Sequence, residues 1–158
     1  MGRRLAGPGQ LIWIAFVARD PQASAMAEEA QAYPVNHGLA EEIYLLKPDL
    51  VIAGASSAPA TMDMLRRLGV PVAEFGPAFS LEDVRTRIVE VGEALGRQAA
   101  ARRLLADFDQ PLEFLRADAT DTPPRAPLYA ANGYTAGRQT LARRMQAVRG
   151  ITNTPTST

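Results

Sequence analysis

The sequence predicts an α/β fold in which a parallel sheet is flanked by helices, and three observations support this class. Three short apolar segments, residues 11–18, 49–56 and 70–75, are rich in branched or aromatic side chains, as buried strands are. Amphipathic helical patterns separate these segments. The connections are short, which is typical of parallel strands joined by helical crossovers.

The first three strand-helix units follow in order along the chain. "LIWIAFVA", residues 11–18, predicts a strand buried on both faces, which "RDP" ends. "MAEEAQAYP" predicts a turn or two of helix, and "GLAEEIYLL" predicts a helix with Leu39, Ile43 and Leu46 on one face. "DLVIAGAS" then predicts the second buried strand.

The next helix pattern, "APATMDMLRRL", has its own start and stop signals. Ser57 is placed to cap its first turn, Pro59 is tolerated within that turn, and Gly69 is placed to close the helix. The third strand, "VPVAEF", follows directly. Pro71 restricts that strand to an edge position or places the proline at its start.

A different pattern begins at Ser80. "SLED" has the form of a capping box, and an apolar stripe with spacings of three and four follows it: Leu81, Val84, Ile88, Val91 and Leu95. We therefore predict a long, mostly helical segment over residues 80–116. Gly96 would loosen it, and Pro111 would kink or break it. "LYAA" and "RQTLARRMQAVRG" predict one further strand and helix, and "ITNTPTST" predicts a frayed end.

Composition excludes several classes of function. Seventeen basic and seventeen acidic residues cancel, so no overall field favours nucleic acid or an anionic membrane. The chain has no cysteine, and no run approaches the roughly 20 apolar residues of a membrane helix. "MGRRLAGPGQ" does not lead into a cleavable signal, so we expect no export signal and a cytoplasmic location if the chain is expressed as written.

Polar residues at the ends of the first two predicted strands are the candidates for a site. Arg19 and Asp20 follow the first strand, and Ser56 and Ser57 end the second, where open parallel sheets bind ligands. The alternative for Arg19 and Asp20 is that they pair with each other or cap the next turn, and the alternative favoured for either serine alone is plain helix capping. His37, the single histidine, precedes a helix and can donate to an anion, act as a base or cap the helix. Metal binding would need carboxylates and water to complete the ligand set.

Three stretches in order resemble the periplasmic substrate-binding proteins of ABC importers for iron-siderophore complexes and vitamin B12. These are "NHGLAEEIYLLKPDLVIAG", "LRRLGVPVAEFGPAFSLEDVRTRIVEVGEALG" and "NGYTAGRQTL", and the resemblance covers about residues 11–150. It implies two lobes joined by a long helix, with the ligand in the cleft between them. The corresponding segments are residues 1–79 as the first lobe, 80–118 as the inter-lobe helix and 119–158 as the start of the second lobe.

The resemblance also implies a function and a set of ligand-binding residues. The function is capture of a ferric siderophore, haem or corrinoid and its delivery to a permease dimer, without catalysis, cofactor, nucleic acid or membrane insertion, in the periplasm. The positions that correspond to cleft loops are Arg19, Asp20, Asn36, His37, Ser56, Ser57, Phe79, Asn132, Tyr134 and Thr135.

The chain also departs from the family pattern. The family's first strand and helix and most of its second lobe have no counterpart here, so the sequence predicts a protein shortened at both ends. Only Asp63 is available where many members carry a glutamate that docks on the transporter. The alternative function is a small α/β enzyme domain that acts on an anionic substrate with His37 and either Asp20 or Asp49.

Overall fold

The computed structural model describes residues 2–117, and the chain divides into two compact units, Met1–Gly76 and Pro77–Thr158. The first unit contains α1 (Gly2–Leu5), β1 (Ile14–Ala15), a 3₁₀ helix (Phe16–Arg19), α2 (Ala27–Ala30), β2 (Val35–Asn36), α3 (Ala40–Leu45), β3 (Val51–Gly54), α4 (Pro59–Arg67) and β4 (Val72–Phe75). The described part of the second unit contains α5 (Leu81–Ala94) and α6 (Gln98–Ala117). The strand and helix predicted after residue 118 lie outside the described residues.

The strands of the first unit pair in parallel, which confirms the predicted α/β class. β1 pairs with β2 through Ile14 and Val35, and β3 pairs with β4 from the Val51–Val72 pair onward. Each pair is joined by a crossover that contains a helix, because parallel neighbours cannot be linked by a tight turn. Within residues 2–117 the two pairs form separate two-stranded sheets.

The prediction of a fully buried first strand over residues 11–18 is wrong. Only Ile14 and Ala15 have strand geometry, and the flanking Ile12 and Val17 are 48% and 46% exposed. The reason is that the partner strand β2 is only two residues long. Pro34 before it has no backbone N–H to donate, and Gly38 after it has φ +81°, which is not strand geometry. Residues beyond this pairing turn instead into the 3₁₀ helix.

The second strand, β3, is buried on one face only. Val51 and Ala53 face the core, whereas Ile52 is 40% exposed. One core cluster of the first unit packs this face of the β3–β4 sheet against α3 and α4, and its buried members are Ala40, Ile43, Ala53, Met62, Leu65 and Val70. Leu39 precedes α3 in extended geometry and is exposed, so the predicted Leu39–Ile43–Leu46 face is replaced by one centred on Ala40 and Ile43.

Helix α4 ends as predicted but begins differently. Its N-cap is Ala58, and the Ser57 hydroxyl instead accepts a hydrogen bond from the Gly54 N–H at 3.2 Å. At the other end Gly69 has φ +79°, and the N–H groups of Gly69 and Val70 reach the carbonyls of Arg66 and Leu65, each at 3.0 Å. This is a Schellman closure, whose left-handed position favours glycine.

Helix α3 ends at a residue that is not glycine. Lys47, the only lysine in the chain, has φ +48° and is exposed, and its N–H reaches the Tyr44 carbonyl at 3.0 Å. Pro48 follows and prevents the helix from continuing. A side chain in the left-handed region costs energy that a glycine would not.

The helical character predicted for residues 80–116 is present, but it is divided between two helices. Gly96 has φ +64° and ends α5 in a second Schellman closure, in which the Arg97 N–H reaches the Gly92 carbonyl at 2.6 Å. The chain then reverses into α6, so that Gly92 lies against Ala101 and Arg85 pairs with Asp109. α6 continues through Pro111, so the break expected there does not occur.

The α5–α6 hairpin is held by an ion pair and a close helix contact. The Nε and one terminal nitrogen of Arg85 donate to Asp109 Oδ1 at 2.8 and 2.5 Å, and this pairing raises the pKa of Arg85. Gly92 and Ala101 are both buried where the helices approach each other. A Cβ at position 92 would lie inside van der Waals contact with the Ala101 methyl group.

The capping box predicted at "SLED" is present, with one difference in its partner. The Ser80 hydroxyl accepts from the Asp83 N–H at 3.0 Å, as expected. The Asp83 carboxylate accepts from the Phe79 N–H at 2.8 Å, and this bond, followed by a hydrogen bond between the Ser80 hydroxyl and the carboxylate, lowers the pKa of Asp83 below its usual value. The cap therefore depends on an ionised Asp83.

We expect Gly92→Ala to destabilise the chain by about 1 kcal/mol. Overpacking typically costs about 1–3 kcal/mol, while the better helix propensity of alanine returns about 1 kcal/mol. The double variant Gly92→Ala with Ala101→Gly should lose less free energy of unfolding, measured in urea, than the sum of the losses of the two single variants. Additive losses would show that the helices do not make this contact.

We expect Asp83→Asn to destabilise the chain at pH 7 and to have a smaller effect at pH 3. The folded-state pKa of Asp83 lies below its unfolded value, so its stabilisation is present above the unfolded value and is lost as the pH falls through the folded one. Thermal unfolding at the two pH values measures the difference. Glu82→Gln, in the same helical turn, controls for removal of a negative charge. If Asp83→Asn destabilises the chain equally at both pH values, the prediction is wrong.

Candidate functional site

Two exposed rings lie at the edge of the first sheet where its strands end. Phe16 directly follows β1 and His37 directly follows β2, and the parallel pairing brings the two positions to the same edge. Their rings stack with centroids 5.6 Å apart and planes inclined by 25°. Phe16 is 56% exposed and the His37 side chain is 65% exposed, so the stacked pair presents an aromatic surface to solvent.

His37 is oriented by Glu42 in the first turn of α3. One carboxylate oxygen of Glu42 accepts the His37 backbone N–H at 2.7 Å, and the other lies 3.3 Å from Nδ1 of the imidazole. The amino end of a helix favours a carboxylate in this turn. Glu42 therefore fixes both the backbone and the ring of His37.

The backbone on either side of His37 is anchored as well. The Asn36 side chain donates to the Ile14 carbonyl at 3.2 Å and accepts from the Gly38 N–H at 3.2 Å. The Thr61 hydroxyl, in α4, donates to the Gly38 carbonyl at 3.0 Å. Asn36, a predicted ligand residue, thus uses its amide to hold the loop in place.

Arg19 and Asp20 also serve the local structure. The guanidinium of Arg19 donates to the carbonyls of Gln31 and Tyr33 at 3.3 and 2.5 Å, which ties the 3₁₀ helix to the segment before β2. Asp20 accepts from the Gln22 N–H at 2.8 Å and so closes the turn that follows it. The capping alternative for Asp20 fits the structure, and Arg19 is directed at backbone carbonyls.

The remaining predicted residues fall into three places. Ser56 is exposed after β3, and Ser57 bonds back to Gly54. Phe79 lies in the second unit and is 58% exposed. The last three, Asn132, Tyr134 and Thr135, lie outside the described residues.

Phe16 and Glu42 are contacts of His37 that the sequence analysis missed. Phe16 was assigned to the interior of a strand, which concealed that it follows the strand's end. The sequence analysis did not single out Glu42, although a carboxylate in the first turn of a helix beside a loop histidine could have indicated the pairing. The carboxylate that contacts His37 is Glu42, where the enzyme alternative had named Asp20 or Asp49.

The described part of the chain contains neither a metal-binding cluster nor a membrane-spanning helix. No group of three or more His, Asp or Glu side chains suited to a metal ion occurs within residues 2–117. No helix in that range is both long and apolar enough to cross a membrane.

Comparisons with known proteins agree on one family. The chain is 31% identical over 104 residues to a cobalamin-binding protein of Halobacterium salinarum, which covers 64% of this chain and 28% of that protein. It aligns at 26% identity and a TM-score of 0.67 with the periplasmic heme-binding protein RhuT from Roseiflexus sp. RS-1, over 90% of this chain and 56% of that one. The fold is also that of the periplasmic vitamin B12 binding protein BtuF of Vibrio cholerae, at a TM-score of 0.65 and 24% identity over 96% of this chain and 60% of that one.

The extent of these matches decides what they show. The chain spans less than two thirds of the length of each of the three proteins. Within the chain, however, the family model described as periplasmic binding protein matches residues 17–157, which is nearly all of the sequence. This protein belongs to the periplasmic binding protein family.

Proposed function

We propose that this protein is a solute-binding component of an ABC importer that captures haem, a ferric siderophore or a corrinoid. The observation that carries the proposal is the exposed Phe16–His37 pair on its anchored loop, in a chain of this family. A relative and structural neighbours are named for cobalamin and heme, both of which are flat macrocycles with a metal at the centre.

The chemistry of the pair suits such a ligand. An exposed aromatic ring offers a flat apolar surface that gains free energy when a macrocycle covers it. The imidazole offers a nitrogen at the same surface. The hydrogen bonds that Gly38 makes with Asn36 and Thr61, and that the His37 N–H donates to Glu42, hold the loop before any ligand arrives, which reduces the entropy lost on binding.

The wider site belongs to the same proposal. Residues 1–79 would form one lobe, 80–118 the inter-lobe helical segment and 119–158 the start of the other lobe. The ligand would then lie between Arg19, Asp20, Asn36, His37, Ser56 and Ser57 on one side and Phe79, Asn132, Tyr134 and Thr135 on the other. Delivery to a permease dimer in the periplasm completes the proposed role.

Binding is a better account of the site than catalysis. Nδ1 of His37 is 3.3 Å from Glu42, and such a contact can orient an imidazole that acts as a general base. Nucleophilic catalysis would also need a nucleophile beside the imidazole. Within residues 2–117 the side chains that contact His37 are the Phe16 ring, which is not a nucleophile, and the Glu42 carboxylate, whose two oxygens are both engaged by His37 itself. An aromatic partner instead suits ligand stacking.

We expect the chain to bind at least one of haemin, cyanocobalamin and ferric desferrioxamine, and Phe16→Ala to weaken that binding by about 10- to 100-fold. Burial of a phenyl ring contributes about 1.5–3 kcal/mol, and 1.4 kcal/mol corresponds to a factor of ten. Trp13 is the only tryptophan and is three residues from Phe16, so quenching of its fluorescence reports the titration.

Phe114→Ala is the matched control, because Phe114 is 70% exposed on α6 in the second unit. It should leave the dissociation constant unchanged. Equal weakening by both variants would indicate nonspecific adsorption to apolar surface, and failure of all three ligands to bind would refute the proposed function.

A further inference from the structure

The pairing of His37 with Glu42 determines which imidazole nitrogen carries the proton. A carboxylate only accepts hydrogen bonds, so the nitrogen that contacts it must carry the proton. That nitrogen is Nδ1, 3.3 Å from Glu42 Oε1. In the neutral imidazole the other nitrogen, Nε2, then has a lone pair and no hydrogen.

The orientation of the ring is fixed by two further contacts. The backbone N–H of His37 donates to the second oxygen of Glu42 at 2.7 Å, so a single carboxylate holds both the main chain and the side chain. Phe16 stacks on the imidazole and limits its rotation out of plane. Nε2 lies across the ring from the Cγ–Nδ1 bond, whose nitrogen contacts Glu42, and the side chain as a whole is 65% exposed.

We propose that Glu42 is a positioning residue that holds His37 in the Nδ1–H tautomer, so that the Nε2 lone pair meets a metal centre with an open coordination position in the bound ligand. The proposal rests on the proposed function for the identity of the site. It adds that Nε2 of His37 makes the contact, that the contacted group is a metal centre, and that Glu42 sets the tautomer. Carboxylates that orient metal-binding imidazoles through the other ring nitrogen act in the same manner.

This arrangement also changes the expected selectivity. If His37 donated a hydrogen bond, it would favour anionic groups at the edge of a ligand, such as carboxylates. A lone pair at Nε2 instead favours an electron-pair acceptor, and a macrocycle without its metal offers none. Haemin and metal-free protoporphyrin share the ring and its carboxylates, so the difference between them isolates this contact.

The tautomer can be measured directly in the unliganded chain, because His37 is the only histidine and its imidazole signals need no further assignment. Nitrogen-15 correlation spectra of the neutral ring should show the proton on Nδ1. Glu42→Gln should shift the ratio of tautomers toward Nε2–H by about two- to fivefold, the range for one partly exposed charged pair. The amide can still accept the backbone N–H while its NH₂ group donates to Nδ1.

Glu41→Gln is the matched control, since Glu41 is the exposed neighbour in the same turn of α3. It should leave the tautomer ratio unchanged. A predominant Nε2–H tautomer in the unchanged chain, or an identical ratio in the Glu42→Gln variant, would overturn the assignment of Glu42 as the positioning residue.

Ligand titrations test the second half of the proposal. His37→Ala should weaken haemin binding by about tenfold more than it weakens protoporphyrin binding, because both ligands lose the stacking surface and haemin alone also loses the metal contact, while the corresponding extra loss for Glu42→Gln should be smaller, on the order of two- to fivefold. Equal losses for both macrocycles would overturn the metal contact. An unchanged chain that binds neither would count against the proposed function, whereas the tautomer measurement would still decide the role of Glu42.

Discussion

Parallel pairing of β1 with β2 is the constraint from which the candidate site follows. Parallel strands end at the same edge, so the residue after each strand arrives beside the residue after its neighbour. Phe16 and His37 meet for this reason, although 20 positions separate them in the sequence. The pairing spans two residues on each strand, and the hydrogen bonds of Asn36 and Arg19 hold the segments where longer strands would have supplied backbone bonds.

Local signals in the sequence predicted the parts of the fold that depend on local physics. Gly69 occurs where α4 must end in the left-handed region, and Ser80 and Asp83 occur where free N–H groups need acceptors. Gly96 was expected only to loosen a helix that it in fact ends. These devices require only a few neighbouring residues. The α/β class was likewise predictable, because apolar segments that alternate with amphipathic helices are typical of parallel strands joined by helical crossovers.

The parts that the sequence did not predict depend on partners distant along the chain. The apolar composition of residues 11–18 suits a buried strand, but strand length is set by the partner, and Pro34 and Gly38 limit that partner to two residues. The same limit exposes Phe16. For His37 the sequence predicted a ligand-facing loop without indicating its orientation, because Glu42 becomes its partner only when α3 begins at Ala40.

The left-handed closure of α3 by Lys47 has a practical consequence for probing the protein. Because Lys47 is the only lysine and its side chain is exposed, amine-reactive reagents should modify one side chain and the chain's amino group. Lys47 follows the carboxyl end of α3, whereas Glu42 and His37 meet at its amino end. A dye attached at Lys47 would thus be close enough to sense a bound chromophore by energy transfer without covering the imidazole.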